Sequence, residues 1–339
     1  MEFSTEARAA QHLTGSDVGK RVSVRRLAED GAPGAKFSDT VGVLTSWDDG
    51  VLSITRRNGE RVRIDESALV AGKVVPPERA RRRGPAASYR ELAGVAARAW
   101  PPVESERLGD WVLRASSGFT RRANSVLALG DPGRELDEAL AAVRAWYGER
   151  GLPAYVQAAT GAAGTDELLC AALEERGWVR EVTAELWVGS LAAAADAADP
   201  ASADPEAPAV RLSRHTDDTW LARYRRKGVG AAARRVLEGG PSVWFATVPG
   251  ADGAPPAAIG RCVVDGRWAG FAAVEVAPER RREGLATRVM AALAGQAMEE
   301  GASAGWLQVE TDNSGARRLY DALGFSAHHA YHHYRCPEA

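Results

Sequence analysis

The residues best equipped for chemistry lie between Val274 and Thr287. Val274 and Val276 alternate with Glu275 as a strand would, and Pro278 ends the run. From Leu285 the apolar positions fall at Leu285, Val289, Leu293 and Ala297, which is helical spacing. Arg281, Arg282, Glu283, Gly284, Leu285, Ala286 and Thr287 therefore form the entry to a helix. Such an entry presents unpaired backbone N–H groups and the positive end of the helix dipole, so it can hold a phosphate-bearing ligand. A side chain at Gly284, or a larger one at Ala286, would keep a pyrophosphate off the main chain. Arg281 and Arg282 add fixed charge and forked donors. Alone, the stretch also fits an exposed strand–helix turn with solvated arginines.

A second group follows. Trp306–Glu310 reads as a strand, Thr311–Ser314 as a helix start, and Ala316, Leu319, Tyr320 and Leu323 as a helix closed by Gly324. Arg281-x-x-Gly284-x-Ala286 after a Val-x-Val strand resembles the acetyl-CoA signature of the GNAT superfamily of N-acetyltransferases, with Ala286 where the family prefers glycine. Asn313-x-x-Ala316-x-x-Leu319-Tyr320-x-x-Leu323-Gly324-Phe325 resembles that family's second signature. The resemblance implies that pantetheine pairs with the backbone of Val274, Glu275 and Val276 and that the pyrophosphate rests on the amides of 282–287. It also implies that Asn313 contacts the coenzyme and that Tyr320 protonates the departing thiolate after direct attack by an amine. For the base, Glu275, Glu310 and Asp312 are the candidates, Glu275 first, each balanced by a solvated or capping role. Acetyl-CoA is then the acyl donor, and no metal is expected.

Positioning these groups needs an α/β (α+β) architecture, and the chain divides accordingly. Residues 13–76 carry short β-rich runs with hairpin turns at Asp48-Asp49-Gly50 and Asn58-Gly59. That block reads as a small β-barrel and resembles the SH3-like modules attached to some actinobacterial GNAT proteins. Residues 77–87 form an arginine-rich linker, and 191–209 an Ala/Asp/Pro tether. Residues 88–190 run helix, strand, strand, helix, strand, helix, strand, and 210–339 hold the two signatures with a mixed central sheet. Aligning Gly177 with Gly324 puts Leu173 at the place of Tyr320, so 88–190 reads as a degenerate second copy of the fold, without phosphate loop or phenol.

Composition narrows the partners. With 339 residues and a formal net charge of −2, nothing steers the whole chain toward nucleic acid or anionic lipid. Arginines of the first block and linker (Arg21, Arg25, Arg26, Arg56, Arg57, Arg61, Arg63, Arg81–Arg83) are interspersed with Asp17, Asp39, Asp48, Asp49 and Asp65 and lack a stacking ladder. Cys170, Cys262 and Cys336 give no disulfide or zinc spacing. His328, His329, His332 and His333 fall on both faces of a strand, which divides any ligand set. Without an apolar leader or spanning segment, a soluble cytoplasmic protein is expected, monomer or homodimer. The acceptor amine is left open between a small molecule and a protein lysine or N-terminus. Tyr224 and 327–333 are the candidate linings of its pocket, and the polar run 119–124 reads equally as a binding edge or as a solvated hairpin. The alternative class is a non-catalytic acyl-CoA-binding regulator that recruits a partner through the first block.

Overall fold

The computed structural model describes residues 13–27, 37–76, 84–197, 209–224, 229–251 and 254–337. Most of the expected 77–87 linker and of the 191–209 tether lies outside them. Strands β1 (Arg21–Leu27), β2 (Phe37–Asp48), β3 (Val51–Thr55), β4 (Arg61–Asp65) and β5 (Leu69–Val74) form an antiparallel sheet in the order β4-β3-β2-β1-β5. Asp49 and Gly50 both take positive φ (51° and 74°), the twist that a tight hairpin between β2 and β3 requires. Val22, Val24, Leu44, Leu52, Ile54 and Ile64 bury in one core. The expected closed barrel does not form: among the described residues β4 and β5 do not pair, so each stays an edge of an open sheet. Arg61, Arg63 and Asp65 on one edge and Lys73 on the other keep those edges polar.

The remaining chain contributes to a single sheet of eleven strands. Its first part runs α1 (Tyr89–Ala99), β6 (Glu104–Leu108), β7 (Trp111–Ala115), β8 (Val126–Leu127), α2 (Leu136–Gly148), β9 (Tyr155–Thr160), α3 (Glu167–Glu175), β10 (Val179–Ser190) and α4 (Leu191–Ala195). Its second part runs β11 (Arg211–Ser213), α5 (Asp218–Arg223), α6 (Ala231–Glu238), β12 (Ser242–Val248), β13 (Ala258–Asp265), β14 (Trp268–Val276), α7 (Leu285–Glu299), β15 (Ala304–Glu310), α8 (Ser314–Ala322) and β16 (Ser326–Arg335). The strand order is β11-β12-β13-β14-β15-β10-β16-β9-β8-β7-β6. Residues 191–195 correct the expected tether: Leu191 and Ala194, on one helical face, bury in the same apolar cluster as α7.

That order records a strand exchange between two copies of one unit. Each copy reads strand, strand, strand, helix, strand, helix, strand, from β6 to β10 and from β12 to β16. The closing strand of each copy lies beside the other copy: β10 pairs with β15, and β16 pairs with β9. The two exchanged strands pair with each other, Val179 facing Arg335 and Val188 facing Ser326. Under the alignment of Gly177 with Gly324, each of these pairs maps onto the other, so a local two-fold relates the halves. The helix ends agree as well. Gly177 and Gly324 take left-handed φ of 75° and 84°, and the next residues, Trp178 and Phe325, donate N–H to the carbonyls of Leu173 and Tyr320. Leu173 thus occupies the place of Tyr320, buried among apolar side chains.

Helices α7 and α8 cover one face of the sheet through Leu285, Val289, Leu293 and Tyr320, and α1, α5 and α6 cover the other through Leu92, Trp220 and Val236. Arg261 joins the two copies from inside. Its guanidinium, 1 % exposed, donates from Nε to Leu237 O (2.6 Å) and from Nη2 to Ala99 O and Gly239 O (both 2.8 Å), which caps the ends of α1 and α6.

Candidate functional site

Strands β14 and β15 run parallel but pair only from Trp268–Phe271 to Ala304–Leu307, and beyond that they part. A bulge opens the gap. Ile259 faces Glu275 and Arg261 faces Ala272, so Gly260 stands opposite both Ala273 and Val274. Ala273 takes φ 52°, a left-handed conformation that costs a non-glycine residue energy and recurs at functional sites. The extra residue resets the alternation. Ala272 and Ala273 both pack against the cluster under α1, α5 and α6, whereas Val274 and Val276 pack toward α7. Alternation places Glu275 on the face of Ala272 and Ala273, away from Val274 and Val276 as its parity predicts.

The chain after β14 reaches α7 through a single turn at Pro278–Arg280 and then two left-handed residues, Arg282 (φ 68°) and Gly284 (φ 73°). Gly284 is the N-cap of α7 and provides no side chain to satisfy the first turn. Among the described residues, the N–H groups of Arg282, Glu283, Gly284, Leu285, Ala286 and Thr287 have no hydrogen-bond acceptor. A Cβ built on Gly284 would meet no atom within 4 Å, so the space in front of these amides is open. Arg281 and Arg282 are exposed beside it, while Arg280 is held by Glu283 (2.7 Å). Six amides, open space and two free-standing cations suit a diphosphate. The corresponding point of the first copy does not. Glu135 is the N-cap of α2, preceded by Asp131-Pro132-Gly133, and its carboxylate would repel the same ligand.

On the second arm, Asn313 caps α8: its Oδ1 accepts from Ala316 N at 3.1 Å, and the side chain is exposed at the mouth of the gap. Tyr320 lies below, in the cluster with Phe271, Leu285 and Phe325, its ring 6.4 Å from that of Phe325. Its hydroxyl has no hydrogen-bond partner among the described residues, and burial pushes its pKa up to about 12. Glu310 ends β15 and Asp312 lies in the exposed turn that follows. Around the gap stand 274–276, the loop 281–287, Asn313 and Tyr320. Sequence reasoning passes over Gln308, whose buried Oε1 has no partner among the described residues. Its parity with Trp306 and Glu310 is the signal that places it on the sheet face under α1, α5 and α6.

The histidines divide into His328 and His329, whose Nδ1 atoms meet at 2.9 Å, and His332 and His333 further along β16. His332 lies between Thr160 Oγ1 (3.0 Å) and Thr183 Oγ1 (2.9 Å), and His329 packs edge-on to Tyr89 at 5.1 Å. No group of three metal-ligating side chains comes together among the described residues. Burial lowers the pKa of His329 and His332 to about 3 and that of His333 well below its ordinary value. The unfolded chain takes up protons below about pH 6.5 that the folded rings refuse, so stability is complete above that pH and falls as pH falls. His332→Gln should flatten the fall between about pH 6.5 and 4 by about 1.4 kcal/mol per pH unit, one proton's share. Urea unfolding at a series of pH values measures it; an unchanged slope would mean that the His332 ring charges inside the fold.

Comparison with known proteins supports the same unit. The family described as "Probable histone acetyltransferase Rv0428c C-terminal" matches residues 86–335, both copies together. The chain is 29% identical over 318 residues to the probable histone acetyltransferase Rv0428c of Mycobacterium tuberculosis, covering 92% of this chain and 93% of that protein. It is 28% identical over 256 residues to the uncharacterized N-acetyltransferase YobR of Bacillus subtilis, covering 73% of this chain and 97% of that one. In fold it is similar to a GCN5-related N-acetyltransferase from Kribbella flavida (TM-score 0.53, 18% identity, 73% of this chain and 95% of that one). It is also similar to a tandem GNAT protein from the clavulanic acid biosynthesis pathway (TM-score 0.51, 15% identity, 76% and 91%). The chain belongs to the Rv0428c C-terminal family, and it is an acetyltransferase with a GNAT-like fold.

Proposed function

We propose that this acetyltransferase moves the acetyl group of acetyl-CoA to a primary amine by direct attack in a ternary complex. One observation carries the reading: the unpaired amides at the start of α7 open onto the gap between β14 and β15, beside which Tyr320 is buried. Acetyl-CoA supplies an acetyl thioester to that gap. The amides of 282–287, with Arg281 and Arg282, hold its diphosphate, and Asn313 at the mouth adds a side-chain contact. Backbone groups of Val274–Val276, freed from pairing by the divergence, align the pantetheine as an added strand would be aligned. A β14 N–H beside the bulge polarises the acetyl carbonyl. A carboxylate on the acceptor-side face, Glu275 or Glu310, takes the amine proton, and Tyr320 protonates the sulfur.

We read the open five-stranded sheet as the SH3-like module of this architecture. Arg57 Nη2 reaches Ala327 O (2.8 Å) and Thr160 Oγ1 donates to Arg57 O (2.9 Å), so this sheet is fastened to β16 and β9. Thiol release from acetyl-CoA with a panel of amines tests the reading. Sustained turnover with at least one amine is expected; tight coenzyme binding with turnover on none would favour the regulatory class instead.

A further inference from the structure

A cavity of about 590 Å³, a volume suited to a small molecule, lies beside the gap and is composite. Ser117–Asn124 and Tyr155 come from the first copy, Glu310 from the end of β15, and Tyr331 and His333 from the exchanged strand β16. The loop is rigidly built. Asn124 Oδ1 accepts from Ser116 N and Gly118 N, and its Nδ2 donates to Phe119 O and Thr120 O. These bonds hold Ser117 and Thr120 at φ 50° and 56°, strained values for residues with a side chain. Phe119 packs against the same apolar cluster as Ala272 and Ala273, the bulge at which the strands part. Glu310, beyond the point where β14 and β15 part, lines the cavity and connects it to the gap.

Its polar groups are unevenly satisfied. Arg121 is neutralised by Glu181 (3.0 Å), which also accepts from Tyr155 Oη. Arg122, half-buried, donates from Nε (3.1 Å) and Nη2 (2.9 Å) to the phenol oxygen of Tyr331 and pairs with no carboxylate among the described residues. His333 is 3 % exposed, and neither ring nitrogen has a partner among the described residues. Buried donors and acceptors are rarely left so, and the Arg122 guanidinium, set between the Tyr331 phenol and the Trp100 ring (5.9 Å), lacks its usual anion. Across the cavity stands the Glu310 carboxylate, the complementary charge for an amine. The Arg122 guanidinium on the facing wall disfavours a lysine-rich peptide.

We propose that this cavity is the acceptor site and selects a small amine that also bears a carboxylate, held by Arg122 and His333 while Glu310 faces the amine; the inference rests on the donor-site reading above. In the reaction the amine nitrogen bonds to the acetyl carbon as the carbon–sulfur bond breaks. The amine's proton passes to Glu310, directly or through water, and the sulfur takes its proton from Tyr320.

The test compares γ-aminobutyrate and ε-aminocaproate with their carboxamides, with diamines of matching length and with a lysine-rich peptide, using the full chain and acetyl-CoA. Expected is kcat/KM about 10- to 100-fold higher for the carboxylates than for the carboxamides, the effect of a charge-assisted forked contact. Arg122→Leu should bring that ratio to about one, and Arg122→Lys should keep part of it. Equal rates for carboxylate and carboxamide, or preference for the diamines or the peptide, would overturn the proposal without touching the donor site. Calorimetric titration of the same amino carboxylates, with and without CoA, needs no turnover. Binding weakened at least about 10-fold by Arg122→Leu sustains the proposal, and no binding overturns it. Failure to bind acetyl-CoA would instead count against the donor-site reading.

Discussion

Gly284→Val should weaken acetyl-CoA binding at least about 100-fold while the protein stays folded. Two effects act together. At φ 73° a β-branched residue is strained by about 1–2 kcal/mol, which loosens the loop that aims the amides. The new side chain also enters the open space in front of α7, where no protein atom lies within 4 Å of the added Cβ. Losing two charge-assisted amide contacts at about 1.5 kcal/mol or more each accounts for the factor of about 100. The fold tolerates the change because that space holds no protein. Calorimetry with acetyl-CoA measures the loss and thermal unfolding checks the fold. Gly284→Ala, with the same strain and only a methyl group, should fall between. A valine variant that binds within about threefold of the parent would show that the diphosphate lies elsewhere.

The loop before α7 and the cap of α8 are legible in the sequence because their determinants are local. Gly284, Ala286 and the arginines occupy one turn, and Asn313 and Tyr320 one helix, so spacing along the chain is spacing in the structure. Glu275 is a partial case. Parity opposes it to Val274 and Val276, but it cannot reveal that Ala273 bulges and carries Glu275 onto the acceptor-side face. Nothing in Ala272-Ala273 announces a left-handed residue, since the conformation is imposed by the pairing with β13.

The exchange of β10 and β16 is illegible for a stronger reason. Val179–Ser190 and Ser326–Arg335 each read as a strand closing its own copy, and alternation identifies a strand without naming its partner. Trp187 and Phe325 make the choice, burying in one cluster that spans both copies. Repetition is visible in sequence through Gly177 and Gly324, yet the local two-fold appears only when Val179 is found facing Arg335. The acceptor side suffers most from this. Phe119–Asn124 can be noticed as a polar run, but its companions Glu310, Tyr331 and His333 are more than a hundred residues away and arrive only through the exchange. The open edge between β4 and β5 is a further case, because strand count says nothing about closure.

Tyr320→Phe should lower kcat about 100-fold or more, within the range for a lost general acid, and leave acetyl-CoA affinity within about threefold. A phenol at about 12 looks too weak an acid for a thiolate. A thiolate leaving into the same apolar cluster is also desolvated, and desolvation raises its basicity, which narrows the gap between donor and acceptor. The same value keeps Tyr320 protonated throughout the neutral range, and no alkaline fall in kcat should be assignable to it below about pH 11. Stability should not suffer. The hydroxyl has no hydrogen-bond partner among the described residues, so its removal breaks no bond within the protein and should leave Tm nearly unchanged. Single-turnover kinetics with saturating acetyl-CoA separates chemistry from binding. An unaltered chemical step in the phenylalanine variant would move the proton donor to water or to another side chain, with Tyr320 left as a packing residue of α8.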